Sequence, residues 1–200
     1  MSPISVGDRL AGWRERPLAA CGVVAAAVAA CVVSLIAAPG LPSWFGAALA
    51  LIMIAIAVID ARDFVIPNEL SAAAFALALV YAGATEPEPL QAALFAGLRG
   101  AVLALIFLAL REGYRRLRGR DGIGLGDVKL AGVAGAWLGW LAIPIAIEIA
   151  ALAAIVVFAV RHYVAGRPLD AALKFPFGLF LGPSIWLGWL LDVTLLSVVN

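Results

Sequence analysis

Long apolar runs divided by short polar or Pro/Gly-containing segments pattern the whole chain, with no period-two alternation of the kind that half-buried strands show. The runs extend over Leu18–Ala38, Trp44–Ile59, Leu70–Ala84, Leu90–Leu110, Val128–Ile143, a stretch from Pro144 to Val160, and Phe177–Val198. Runs of this length, about 20 residues, suit a bilayer, where only a helix satisfies its own backbone hydrogen bonds. The spacing therefore predicts an all-α, polytopic membrane protein of about seven helices, with the fifth set off from the sixth by Pro144. Pro39-Gly-Leu-Pro42 reads as a turn. Pro67 disfavours helix at Ile66, and Asn68 is a suitable N-cap for the third helix.

Composition strengthens that reading: 64% of the 200 residues are hydrophobic and 14% are charged, which leaves no room for a sizeable soluble domain. The first run is longer than a signal-peptide core, so it is expected to be a retained helix. The net charge of +1 is uninformative, but its distribution is not. With the N-terminus inside, every Lys and Arg except Arg99 falls in the inner loops, including the run Arg111–Arg120. Asp60 and Asp127 then share the cytoplasmic face, and Trp44, Tyr81, Trp137, Trp140, Trp186 and Trp189 fall near the outer ends, as interfacial anchors would. Cys21 and Cys31 stand about 15 Å apart along one helix, too far for a disulfide. With one histidine and no Cys-x-x-Cys pair, no metal or other cofactor is expected.

The chemistry concentrates at two carboxylates. Asp60 ends the second apolar run, and Asp127 follows the glycines Gly122, Gly124 and Gly126 to open the fifth. Two carboxylates brought together share a proton, so that one can activate water while the other donates to a leaving group. The alternative is that both are solvated helix ends. The glycines permit unusual backbone conformations and close approach beside Asp127. A nucleotide phosphate site is disfavoured because no strand precedes the run, and no nucleic-acid partner is expected. Lys129 would add positive charge near the pair, or else anchor the inner face. From the dipoles of their own helices, Asp127 is expected to be the base and Asp60 the acid. Ala131, Gly135 and Gly139 would form a small-residue packing face on the fifth helix. Arg99 and Glu148, the charges left inside the bilayer, are expected to pair.

Asp60 with Pro67 seven positions on, Gly124-Leu-Gly-Asp-Val-Lys-Leu130, and Pro176-Phe-Gly178 together resemble the type IV prepilin peptidases and archaeal preflagellin peptidases, membrane aspartic proteases of the Gly-x-Gly-Asp type. The continuation Leu179-Phe-Leu-Gly-Pro183 departs from the family wording. The resemblance runs from about Trp44 to the C-terminus. It implies a six-helix peptidase core over residues 44–200, preceded by residues 1–43 with one extra transmembrane helix. It also implies Asp60 and Asp127 as the catalytic pair, with Gly124, Gly126 and Lys129 supporting. The implied substrate is a prepilin-like precursor with a basic leader and a transmembrane segment, cleaved at the cytoplasmic face of a bacterial inner membrane. The short N-terminal part implies peptidase without the N-methyltransferase of long members, as in Flp/Tad-type enzymes. A presenilin-like intramembrane protease and a non-enzymatic assembly or transport component are the alternatives.

Overall fold

The computed structural model describes residues 17–119, 122–165 and 176–195. Among these residues the chain forms seven helices: α1 (Pro17–Ala37), α2 (Leu41–Asp63), α3 (Asn68–Thr85), α4 (Pro89–Arg118), α5 (Leu125–Trp137), α6 (Ala142–Ala165) and α7 (Gly178–Thr194). By length and composition α1, α2, α4 and α6 can each cross a membrane, and α7 is a shorter apolar helix, which makes this a multi-pass membrane protein. Arg9, Arg14, Arg16, Arg120, Arg167, Lys174 and the tail to Val198, all used in the sequence reading, lie outside the described residues.

The element that organises the bundle is the shortest. α5 has 13 residues, a rise of about 20 Å, too little to cross about 30 Å of hydrocarbon unaided. From Leu130 to Trp137 every residue is buried, because α3, α4 and α7 surround it. Small residues make that enclosure feasible. A methyl group on Gly135 would lie 2.7 Å from the Arg99 carbonyl oxygen, and one on Gly100 would lie 2.7 Å from the Gly132 carbonyl oxygen, so α4 and α5 meet backbone to backbone.

Several sequence expectations change here. The break after α5 falls at Leu138–Leu141 rather than at Pro144, which sits in the first turn of α6, where a missing N–H costs nothing. Gly139 is consequently outside the helix, and the packing face is Gly132 and Gly135. α4 continues past Leu110 to Arg118, so most of the basic segment is helical, with Arg115 and Arg116 both paired to Glu112 at 2.9 Å. Asn68 does not cap α3; Pro67 occupies the cap position, and the Asn68 amide oxygen accepts from Lys129 Nζ.

The tryptophans also separate. Trp44 and Trp140 are exposed, as interfacial anchors would be, whereas Trp137 and Trp189 are buried in the core. Trp137 donates to the Ala74 carbonyl at 2.9 Å and stacks on Tyr81. Trp186 donates to Ser34 Oγ at 3.0 Å, fastening α7 to α1.

Arg99 does not meet Glu148. Its Nε donates to the Gly135 carbonyl at 2.8 Å and its Nη2 to the Ala136 carbonyl at 3.3 Å, satisfying acceptors at the end of α5 that no further helical turn reaches. Asp192 on α7 accepts from the Gly139 N–H at 3.0 Å. A cation and a carboxylate from two neighbouring helices thus hold the far end of α5.

Candidate active site

Asp60 reaches the bundle interior by helical periodicity. Gly46, Leu49, Ala50, Met53, Ile56 and Ala57 form the buried stripe of α2, and Asp60 continues it one turn further. The carboxylate is 5% exposed, and its Oδ2 accepts from the Leu179 N–H at 2.9 Å. The Gly178 N–H is a second donor from the same first turn of α7. The chain leaves the site through Phe64, whose left-handed backbone (φ 53°) ends α2 while its N–H bonds the Asp60 carbonyl. Asp63, by contrast, is exposed.

Asp127 lies in the first turn of α5, where its Oδ2 accepts from the Gly124 N–H at 3.1 Å. Burial pushes its carboxyl up to about 6, against the Gly124 bond, with the Asp60 charge adding to the rise. The two carboxylates are therefore close enough to act on each other, although one comes from α2 and the other from α5.

Ile66 is the residue between them. A methyl group on Gly126 would come within 2.8 Å of Ile66 Cδ1, and one on Gly178 within 2.7 Å of the same atom and 2.8 Å of Asp60 Oδ2. The glycines therefore supply space rather than unusual dihedrals: Gly124 has an ordinary extended backbone (φ −71°), and neither it nor Gly126 has positive φ. Sequence reasoning missed Ile66 as a spacer. The signal was its place as the one aliphatic side chain held extended by Pro67, directly after a carboxylate-bearing helix. Arg111 Nε donates to the Ile123 carbonyl at 2.9 Å, tying the glycine segment back to α4, and this contact also had no sequence signal.

Lys129 turns away from the pair. The groups acting on Asp127 are the Gly124 amide and Asp60, while Lys129 bonds Asn68 at the mouth of a groove of about 400 Å³ between α3, α4 and α5. Ser71, Phe75, Ala104 and Val133 are among the groove's walls. Among the described residues no three His, Cys, Asp or Glu side chains gather to hold a metal ion.

The dipole reading of the pair is incomplete for a structural reason. Asp60 does end its own helix, but it also faces the N-terminus of α7, whose free N–H groups favour a negative charge. Asp127 has one backbone donor, the Gly124 N–H, where Asp60 has two.

The chain is similar to known prepilin leader peptidases. The prepilin leader peptidase/N-methyltransferase of Pectobacterium carotovorum subsp. carotovorum is 29% identical over 144 residues, covering 72% of this chain and 50% of the relative. That of Burkholderia pseudomallei (strain K96243) is 35% identical over 131 residues, 64% of this chain and 40% of the relative. That of Neisseria gonorrhoeae is 29% identical over 161 residues, 79% and 53%. The chain spans about half the length of these curated relatives, and no solved structure matches it. The type IV leader peptidase profile matches residues 47–159, which include both aspartates and more than half of the chain, and the chain belongs to that family.

Proposed function

We propose that this protein is an aspartic endopeptidase that removes the leader from prepilin-like precursors at the cytoplasmic face of a bacterial inner membrane. The observation that carries the reading is the meeting of Asp60 and Asp127 across Ile66, close enough that the charge of one raises the proton affinity of the other. Residues 44–200 are the proposed peptidase unit, with α1 added to it. The relatives are named for methyl transfer as well as for leader cleavage.

In this reading Asp127 holds the shared proton and Asp60, supported by two N–H groups of α7, takes a proton from water. The resulting hydroxide attacks the scissile carbonyl carbon while Asp127 protonates the carbonyl oxygen. Collapse of the tetrahedral intermediate then passes a proton to the leaving amine. Gly124 and Gly126 keep the approach to Asp127 open. Lys129 acts as a positioning residue, joining the starts of α3 and α5 through Asn68. The groove beside that bond, lined mainly by small and apolar residues, has room for a few side chains of the apolar segment that follows a prepilin leader.

The test is direct. The purified chain in lipid vesicles, mixed with a prepilin-like precursor, should shorten it by its basic leader. An intact precursor after prolonged incubation with well-folded protein would refute the proposal.

A further inference from the structure

α6 touches the rest of the bundle chiefly through α7, against which Ala142, Ile143, Ala146 and Ala150 are buried. Its other side is bare: Leu152, Ile155 and Val156 are each more than half exposed. A bare aliphatic face suits lipid, but Glu148 interrupts this one. It is the only charged or hydrogen-bonding side chain between Ala142 and Val160, a segment long and apolar enough to cross a membrane. It is exposed and has no hydrogen bond or ion pair among the described residues. Six residues past the start of α6, it lies about 9 Å along the helix. Its short side chain does not reach water as a lysine or arginine would.

Among the described residues Glu148 has no partner. Arg99, the basic residue at that end of the bundle, is occupied by the Gly135 and Ala136 carbonyls. A carboxyl facing hydrocarbon is costly enough to require a polar group at its own depth. A second copy meets that requirement by symmetry, because a two-fold axis along the membrane normal sets each residue beside its counterpart at equal depth. We propose that the protein forms a parallel homodimer in the membrane through the outer face of α6, with the two Glu148 carboxyls hydrogen-bonded to each other. One carboxyl O–H donates to an oxygen of the other, and Leu152 and Ile155 pack around the pair. Ala151, one turn on, lets the backbones approach closely. Asp60 and Asp127 lie toward the opposite end of the bundle, so the interface leaves both clefts open.

The test uses the full chain in lipid vesicles with Cys21 and Cys31 replaced by alanine. Leu152→Cys should cross-link between copies under mild oxidation, and Leu98→Cys, exposed on α4, should not. Energy transfer between labelled copies, followed on dilution into lipid, should give the same dimerisation for Glu148→Gln as for the unsubstituted chain, since carboxamides also pair. Glu148→Leu should weaken dimerisation by roughly three- to tenfold or more. Equal cross-linking at both positions, a monomer at all protein-to-lipid ratios, or undiminished dimerisation of Glu148→Leu would each overturn the proposal. The readout does not depend on peptidase activity, so it stands or falls apart from the functional reading.

Discussion

At the scale of single residues, the two aspartates differ in a way that titration can detect. Asp127 has a folded pKa near 6 against 3.8 in a free chain. Below about pH 4 it is protonated in both states and contributes nothing. Between about pH 4 and pH 6 the unfolded chain has released its proton while the folded one still holds it, so the folded state is progressively penalised, by on the order of 3 kcal/mol once the pH is above about 6. Asp127→Asn should therefore unfold at a higher temperature than the parent at pH 7 to 8, and the advantage should vanish below pH 4. A constant difference across that range would show that burial of the charge is not the cause. The same proton should govern turnover. In the proposed mechanism kcat/KM falls as pH rises through about 6, while the limb for kcat lies higher, because bound substrate excludes more water. Both carboxylates were legible in the sequence because each stands at the edge of an apolar run, Asp60 closing one and Asp127 opening another, where a charge has no packing reason to be. Their division of labour was not. The division proposed above rests on the start of α7, more than fifty residues after Asp127, and nothing in a linear reading brings Leu179 to Asp60.

At the scale of elements, α5 is short and central, and its two ends are held differently. The near end depends on glycine. Gly178→Ala would drive a methyl group into Asp60 and Ile66, and we expect roughly a hundredfold loss of cleavage with the protein still folded, since an ångström of displacement at a reacting group costs about that much. Gly135→Ala, pressed against the Arg99 carbonyl, should instead destabilise the fold by about 1 to 3 kcal/mol. The far end depends on Arg99. Arg99→Gln should cost about 2 kcal/mol by stripping the last carbonyls of α5 of their charged donor. Glu148→Gln should not recover that loss, and in the double variant the effects should add within about 0.5 kcal/mol. Recovery would restore the direct Arg99–Glu148 pair that the sequence favoured. That expectation rested on depth alone, and depth does not say which way a helix turns its side chains. Pro144 misled for a related reason, because a proline marks a helix boundary without telling whether it begins or ends the helix.

At the scale of the whole molecule, the seven helices among the described residues follow from run lengths and from the positions of proline and glycine. Interior packing was less legible. Trp137 and Trp189 look like interfacial residues in the sequence and are core residues in the fold, because the short α5 draws its neighbours inward around its C-terminal end. The central claim is that one carboxylate from α2 and one from α5 perform the hydrolysis together, each in a role the other cannot fill. The measurement that addresses it most directly is the rate of leader removal by Asp60→Asn, Asp127→Asn and Asp63→Asn chains, purified in lipid and matched for folding. Neither of the first two should cleave detectably, and the third, whose side chain is exposed, should cleave at close to the parental rate. Substantial activity in Asp60→Asn or Asp127→Asn would contradict the central claim.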